Sequence, residues 1–240
     1  MPQFESLWAG GPMFAQAEHF RMGTDSILLA HFASPRGRNA IDLGCASGII
    51  GVLMLANAPK LHVTGLEIVP EAAELARENM RVNGFAERSR VVCGDIREHR
   101  QLFTAGGFDT VVANPPYFPA GSGKAPQDAG RAAARWELSC TLEDVCTAAA
   151  FLCRTGGSFY IVHKPERLAE LMCCMSTHGL EPKRMRMVCH TAGAAPNLLL
   201  VEGRRGAKPG MRIEPALILR EADGSETEEI RRIYHRRGGR

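Results

Sequence analysis

The sequence lacks the features that would place a protein in a membrane or outside the cell. It contains no run of about 18 apolar residues, which is the length that a membrane-spanning helix needs. Its first residues, Met1 to Glu5, carry neither a basic flank nor an apolar signal region, so they do not predict secretion. We therefore expect a cytoplasmic protein without a membrane partner.

Paired cysteines and a dinucleotide-binding fingerprint are missing as well. None of the eight cysteines belongs to a Cys-x-x-Cys pair, and we interpret the adjacent Cys173 and Cys174 as helix packing. Scattered cysteines in a chain without a signal region favour reduced thiols over disulfides or zinc, so we expect no metal. The pattern G-x-G-x-x-G, which cradles a dinucleotide pyrophosphate, is also absent.

The composition is that of an ordinary globular protein with nearly balanced charge. Apolar residues make up 45% of the chain and charged residues 23%, which is typical of a soluble domain with a good core. The net charge of +3 permits a nucleic-acid partner without arguing for one. A chain of 240 residues can form one large α/β domain with a small appendage.

A short apolar run at 111–113 consists of small or β-branched residues and suits a buried strand. Pro115 and Pro116 must end that strand, because proline cannot donate a hydrogen bond to a neighbouring strand. Asn114 is therefore expected at the strand end, with Tyr117 just beyond it. In open α/β sheets, ligands bind at this edge.

The Asn-Pro-Pro-Tyr run suits the handling of a planar, amide-like amine. The side-chain carbonyl of Asn114 and the backbone carbonyl of Pro115 can both accept hydrogen bonds from one NH2 group. Tyr117 can stack on the ring that carries the amine. We therefore interpret Asn114, Pro115, Pro116 and Tyr117 as the catalytic group. The bland alternative is a strand that simply ends in a proline turn.

A second informative stretch, residues 40–48, predicts a short strand followed by a glycine-rich turn. Gly44 and Gly48 allow the backbone to bend sharply and to approach a ligand closely. Asp42 lies at the strand end, where it can hydrogen-bond a polar or cationic group. The pattern Asp-x-Gly-x-x-x-Gly leaves less room for a pyrophosphate than the dinucleotide fingerprint does.

Acidic residues end the next two predicted strands. Glu67 lies about 20–25 residues after the glycine turn, the spacing at which a carboxylate binds a ribose hydroxyl pair. Asp95 ends the strand after that and is a candidate to bind the amino group of an adenine. Either acid alone could be a helix cap or a solvated turn residue, but polar residues at four successive strand ends favour a ligand site.

The alternation of strands and helices predicts an α/β fold with a doubly wound, mostly parallel, seven-stranded sheet. Residues 1–36 predict a β-hairpin and a helix, residues 37–220 the main domain, and residues 221–240 a basic helix or tail. The strands predicted after residue 150 lie at 158–163, at 185–190 and 197–202 as an antiparallel edge pair, and at 213–219 as a candidate last strand.

Residues 118–139 predict a long loop beside the presumed site. They are rich in Gly, Ala and Pro, and they interleave Lys124, Arg131 and Arg135 with Trp136. Long loops next to a site often act as lids or bind substrate. Arginines next to an aromatic residue suit phosphate contact with base stacking, although a solvated, mobile loop is the alternative.

These motifs resemble, in content and order, those of S-adenosylmethionine-dependent amino-methyltransferases. The matching residues are 42–48, Glu67, Asp95 with Ile96, and 114–117. The opening hairpin followed by residues 20–29 is more specific, and it resembles the bacterial tRNA1(Val) (adenine-37-N6)-methyltransferase family. Residues 131–136 are similar to that family's arginine-containing loop. The likeness extends over residues 4–202.

The resemblance implies a Rossmann-like class I methyltransferase fold, S-adenosylmethionine as cofactor with S-adenosylhomocysteine as its product, and a tRNA partner. It places Asp42, Gly44 and Gly48 at the methionine end of the cofactor. Glu67 would bind the ribose and Asp95 the adenine. The full cofactor set is Thr24, Asp25, Asp42, Gly44, Cys45, Ala46, Gly48, Glu67, Ile68, Asp95, Ile96 and Asn114. The substrate set is Tyr117, Lys124, Arg131, Arg135 and Trp136.

Three other functions share parts of this pattern. Methylation of a glutamine side chain in a protein such as a release factor uses the same Asn-Pro-Pro-Tyr run, but that family typically carries an N-terminal helical domain. Only about forty residues precede the first predicted sheet strand, so we expect no such domain. The remaining alternatives are N6-methylation of an adenine in rRNA or DNA and a non-catalytic protein that binds nucleotide or RNA. The oligomeric state, monomer or homodimer, stays open.

Overall fold

The structure is a computed structural model, and it describes residues 2–16, 22–117 and 140–235. Its first element is a short antiparallel hairpin formed by β1 (Glu5–Ser6) and β2 (Met13–Phe14). This element confirms the predicted N-terminal hairpin.

The remaining elements alternate between helix and strand along most of the chain. The helices are α1 (Thr24–Phe32), α2 (Ile49–Asn57), α3 (Pro70–Val82), α4 (His99–Leu102), α5 (Leu142–Leu152), α6 (Leu168–Thr177) and α7 (Glu228–Ile233). The strands are β3 (Asn39–Leu43), β4 (His62–Glu67), β5 (Ser89–Cys93), β6 (Phe108–Ala113), β7 (Cys153–His163), β8 (Leu180–Cys189), β9 (Pro196–Arg205) and β10 (Arg212–Ile218).

These eight strands form one sheet in the order β10-β8-β9-β7-β6-β3-β4-β5. Strands β3 to β7 are parallel, whereas β9 is antiparallel to both of its neighbours, β7 and β8. The predicted doubly wound, mostly parallel sheet is confirmed. It has one strand more than the seven expected, because β10 adds to β8 in parallel and β8 is therefore not an edge strand.

The strand order reverses at β3, which positions a ligand site. From β3 the chain adds β4 and β5 on one side and later β6 and β7 on the other. The carboxyl ends of these five parallel strands meet at one edge of the sheet. A crevice forms at that edge where the order reverses, and open α/β sheets bind ligands there.

Helices cover both faces of the sheet, so its central strands are apolar on both sides. In β6, Val112 packs with α1 and α2, whereas Val111 and Ala113 pack with α5 and α6. The hydroxyl of Tyr160 in β7 donates to the carbonyl of Ser34 at 2.9 Å. The layers therefore fix the end of β6, where Asn114 follows.

A buried asparagine in α3 fastens the hairpin to the glycine turn. Asn79 is fully buried, and its side chain accepts from the amide of Ala15 and donates to the carbonyls of Ala15 and Ser47, at 2.8–2.9 Å. One side chain thus joins the chain after β2 to the turn after β3. The partners of Asn79 lie 64 and 32 positions away in the chain, so no local pattern marks it for this role.

The hairpin, α1 and α7 share one apolar cluster with α2 and with β7 and β9 of the sheet. The proposed domain boundaries at residues 36 and 220 stay a prediction. Within the described residues, no helix has the length and apolar character that crossing a membrane would require.

Candidate active site

The turn after β3 bends the backbone sharply at three positions. Gly44, Ala46 and Gly48 have φ angles of 70°, 47° and 85°, in the left-handed region that favours glycine. The amides of Gly44 and Cys45 both donate to the carbonyl of Leu66, at 2.8 and 3.0 Å. The end of β4 therefore fixes the turn that the glycine spacing predicts.

Glu67, the last residue of β4, connects this turn to the start of α3. Its side chain is buried, and its carboxylate accepts from the amides of Ala46 at 2.8 Å and Val69 at 2.9 Å. Burial raises the pKa of Glu67, and these two bonds oppose that shift. Each carboxylate oxygen has a second lone pair, so Glu67 can accept from a ribose hydroxyl while it holds the turn.

Asp42 is a buried carboxyl group at the end of β3. Its side chain is 1% exposed, and neither of its oxygens has a hydrogen-bond partner among the described residues. Burial, and secondly the nearby Glu67, raise the pKa of Asp42 to about 8. A buried polar group without a partner is unfavourable, and a cationic or hydrogen-donating ligand would correct it.

Cys45, Ile68 and Ile96 belong to the predicted cofactor set. The sulfur of Cys45 packs against Gly65, where an added Cβ would lie 2.6 Å from it. Burial raises the pKa of the Cys45 thiol, which makes it a packing group rather than a nucleophile. Ile96 is buried in the core, whereas Ile68 is half-buried and can therefore offer apolar surface to a ligand.

Asp95 follows β5 at the same edge of the sheet. Its position in the sequence suited either a cap residue or an acid that binds a ligand. Its Oδ1 accepts from the amide of Arg97 at 2.8 Å and so caps a short 3-10 turn. The Arg97 side chain donates to both carboxylate oxygens and lowers the pKa of Asp95. Asp95 is therefore a charged acceptor at this edge, and its contact with an adenine stays a prediction.

Asn114 lies at the end of β6, as predicted, and the first turn of α1 orients its side chain. The Nδ2 of Asn114 donates to the hydroxyl of Ser26 at 2.9 Å. Asp25, the neighbour of Ser26, accepts from the hydroxyl of Tyr117. Thr24 is exposed at the first position of α1. The structure thus brings Asp25, Asn114 and Tyr117 together, and their roles in binding and catalysis stay a prediction.

The single hydroxyl proton of Tyr117 decides which oxygen stays available. This hydroxyl contacts the carboxylate of Asp25 and lies 3.0 Å from Oδ1 of Asn114. A charged carboxylate is the stronger acceptor, so the Tyr117 hydroxyl donates its hydrogen bond mainly to Asp25. Oδ1 of Asn114 therefore keeps the capacity to accept a hydrogen bond from an incoming amine.

Several residues at this edge were missed by the sequence analysis. Ser26 was quoted only as part of a matching segment, without a role. Arg167 donates to the backbone carbonyl of Tyr117 at 3.2 Å, and Nζ of Lys164 lies 5.0 Å from the centre of the Tyr117 ring. The contacts join distant parts of the chain, so no local pattern reports them. Lys124, Arg131, Arg135 and Trp136 lie outside the described residues.

One cluster in the described part of the chain has the side chains of a metal site. Glu143, Cys174 and His178 each offer one atom within 4.8 Å of the others. However, Nδ1 of His178 lies 2.9 Å from the carbonyl of Cys174, and its Nε2 lies 3.0 Å from Glu143 and 3.1 Å from Thr147. Protein groups thus satisfy both ring nitrogens, and the absence of a metal stays a prediction.

Comparison with known sequences identifies proteins that are similar to this chain. The family model for the methyltransferase small domain matches residues 11–171. A tRNA1(Val) (adenine(37)-N6)-methyltransferase from Porphyromonas gingivalis is 32% identical over 191 residues, covering 77% of this chain and 74% of the relative. The protein of the same name from Tolumonas auensis is 32% identical over 213 residues, covering 88% and 86%.

Comparison with solved structures supports the fold. A predicted O-methyltransferase from Agrobacterium tumefaciens has a TM-score of 0.71 at 22% identity, covering 90% of this chain and 98% of that chain. A geranyl diphosphate C-methyltransferase from Streptomyces coelicolor, solved with S-adenosyl-L-homocysteine, has a TM-score of 0.56 at 12% identity, covering 75% and 79%. The family model identifies a methyltransferase small domain, and the identity with the two relatives shows that the chain belongs to the tRNA1(Val) (adenine(37)-N6)-methyltransferase family.

Proposed function

We propose that this protein transfers a methyl group from S-adenosylmethionine to N6 of an adenine in tRNA, at position 37 beside the anticodon of a valine tRNA. The observation that carries the proposal is the carboxamide of Asn114, which Ser26 orients at the end of β6 beside Tyr117. The names of the two relatives support the choice of acceptor. A tRNA substrate also implies that the protein acts in the cytoplasm.

The residues at the sheet edge fit S-adenosylmethionine. Asp42 offers a buried carboxyl group that has no hydrogen-bond partner in the described part of the chain, and Glu67 keeps free lone pairs. When bound, the cofactor supplies a methyl group on a positively charged sulfur. Asp42, Gly44 and Gly48 would hold its methionine end. Glu67 would accept from the ribose and Asp95 from the adenine amine.

The role of Asn114 follows from the chemistry of the acceptor. The amine of adenine is a poor nucleophile because its lone pair delocalises into the ring. Hydrogen bonds from its two protons to Oδ1 of Asn114 and to the carbonyl of Pro115 would shift electron density toward the nitrogen and fix its direction. Held in line in this way, the amine reacts as in an effectively unimolecular step, and one of its two protons is lost to water once the bond to carbon has formed.

Tyr117 acts in this site as a hydrogen-bond donor and a stacking surface rather than as a base. Burial, together with the charge of Asp25, raises the pKa of its hydroxyl, so the group stays protonated at neutral pH. Its bond to Asp25 fixes the ring next to Asn114, where the ring can stack on the target base.

An adenine in an anticodon loop is already partly accessible, so extruding it costs less than extruding it from a duplex.

The function is tested by incubating the purified protein with radiolabelled S-adenosylmethionine and a synthetic anticodon stem-loop of valine tRNA. Nucleoside analysis should find the label in N6-methyladenosine, and guanosine at position 37 should abolish labelling. A release factor offered in parallel tests the glutamine alternative, and duplex DNA and rRNA test the other adenine acceptors. Label in any of these but not in the stem-loop would contradict the proposal.

Replacing Ser26 by alanine should lower the turnover rate about tenfold. The variant leaves Nδ2 of Asn114 without its partner, so the carboxamide can rotate and present NH2 instead of Oδ1 to the amine. A single hydrogen bond of about 1–1.5 kcal/mol corresponds to this factor. Single-turnover methylation of the stem-loop measures it, and the affinity for S-adenosylmethionine should stay unchanged.

A matched control for this variant is Ser176→Ala, because Ser176 is exposed in α6. It should keep the wild-type rate. A Ser26→Ala rate within twofold of wild type would show that Asn114 does not need Ser26 for its orientation.

A further inference from the structure

His163 is a buried histidine beside the catalytic group, and the mechanism above does not use it. It is the last residue of β7, the strand next to β6. Because Ala113 pairs with Ile161, His163 reaches the same sheet edge as Asn114. Its ring meets the ring of Tyr117 edge to face, with 5.7 Å between the centroids and 67° between the planes.

The hydrogen bonds of His163 define which ring nitrogen carries its proton. Nδ1 accepts from the amide of Lys164 at 2.8 Å, so the neutral ring has its proton on Nε2. Burial, followed by the charge of Arg167, lowers the pKa of His163 to about 4, which keeps the ring neutral at physiological pH. Nε2 is therefore a fixed N–H donor.

This donor is buried without an acceptor in the described part of the chain. Nε2 has no hydrogen-bond partner among the described residues, although the side chain is 1% exposed. Buried donors in native proteins are nearly always paired, and an exception calls for an explanation such as a ligand. The ligand needs an acceptor atom that lies beside the ring of Tyr117 when its amine reaches Asn114.

Adenine carries such an acceptor next to its reactive amine. Its ring nitrogen N1 is bonded to the carbon that bears N6, N7 is bonded to the next ring carbon, and both nitrogens are acceptors. We infer that Nε2–H of His163 donates to one of these nitrogens and so makes His163 a specificity-determining residue for adenine. The inference rests on the proposed function, because it takes adenine as the acceptor.

Two substitutions separate the donor from the bulk of the ring. His163→Phe keeps an aromatic ring against Tyr117 but removes the N–H, and His163→Gln places an amide N–H at a similar reach. An exposed histidine at the start of β4, His62, supplies the control His62→Phe. Thermal unfolding and affinity for S-adenosylmethionine are measured for every variant, and both should stay close to wild type.

The decisive experiment combines these variants with altered RNA. Stem-loops carry adenosine, 1-deazaadenosine or 7-deazaadenosine at the target position, and kcat/KM is measured for each. With the wild type, the analogue that lacks the contacted nitrogen should lose about 10–100-fold. His163→Phe should lose a similar factor on adenosine and should no longer distinguish that analogue, and His163→Gln should recover part of the loss.

The outcomes distinguish the inference from the function on which it rests. If the analogues lower kcat/KM by equal factors in wild type and His163→Phe, or if His163→Phe keeps the wild-type value on adenosine, His163 only packs against Tyr117 and the inference is wrong. If the wild type does not methylate the adenosine stem-loop at all, the proposed function fails, and the inference fails with it.

Discussion

Replacing Asn114 by alanine should lower kcat for methyl transfer by about 10²–10³-fold, the usual loss when one preorganised polar contact to the reacting group is removed. The variant removes the carboxamide oxygen that is proposed to accept a hydrogen bond from the amine. Asn114 is a member of the predicted cofactor set, but the other members, among them the glycine turn that Glu67 holds, stay in place, so the affinity for S-adenosylmethionine should change far less than kcat. The free energy of unfolding should fall by about 1 kcal/mol, because one hydrogen bond to Ser26 is lost.

Two further variants make this test specific. Asn114→Asp keeps an acceptor but cannot donate to Ser26 and places a second carboxylate near Asp25, so its rate should lie between wild type and Asn114→Ala. Asn57→Ala, an exposed asparagine at the end of α2, should keep the wild-type rate. Stopped single-turnover assays measure the rate, and calorimetry measures cofactor binding. Substantial turnover by Asn114→Ala would remove Asn114 from the mechanism.

The strands and the glycine turn could be predicted from the sequence because local patterns encode them. Structure within a few residues is determined by the segment 40–43, which is apolar except for Asp42, by the glycines that follow it, by the apolar run at 111–113 and by Pro115. The order of polar strand ends then placed Asn114 and Asp42 at one edge of the sheet. This placement needed only the rule that parallel strands end on the same side.

The contacts that orient the site could not be predicted in this way. The bond from Asn114 to Ser26 joins residues 88 positions apart, and that from Tyr117 to Asp25 joins residues 92 apart. No periodicity connects such positions, since only the packing of α1 against the sheet brings them together. Asn79 was overlooked for the same reason, because its partners belong to the hairpin and the glycine turn.

The last strand shows a limit of a different kind. The sequence marked 213–219 as a candidate strand but gave no partner for it, and the structure pairs β10 with β8 in parallel. At an edge the alternation of apolar and polar residues is weak, and Ile213 is 60% exposed. The count of seven strands therefore fell one short of the observed sheet.

Asp42 should make the free protein less stable as the pH rises from about 4 to about 8. Burial raises its pKa from 3.8 to about 8, so in this window the folded protein holds a proton that the unfolded chain has released. The free energy of unfolding therefore falls through the window and levels off above it. A shift of about four pKa units corresponds to on the order of 5 kcal/mol.

Asp42→Asn keeps the shape of the side chain but cannot ionise, so it should lack this slope. Denaturant unfolding between pH 4 and pH 9 should show similar stability of both proteins near pH 4 and a variant more stable by several kcal/mol near pH 8. Glu87→Gln, at an exposed carboxylate, should follow the wild-type profile. Parallel profiles of wild type and Asp42→Asn would show that Asp42 is ionised in the free protein at neutral pH.

Asp42 should stabilise the complex with the cofactor, although it destabilises the free protein at neutral pH. A cationic ligand end beside Asp42 favours the ionised form, so binding below pH 8 should release a proton. The heat of binding of S-adenosylmethionine at pH 7 should then depend on the ionisation enthalpy of the buffer for wild type but not for Asp42→Asn, which should bind at least about tenfold more weakly. Asp42 thus lowers the stability of the free protein and raises its affinity for the cofactor, and buffer-independent heats for wild type would contradict this assignment.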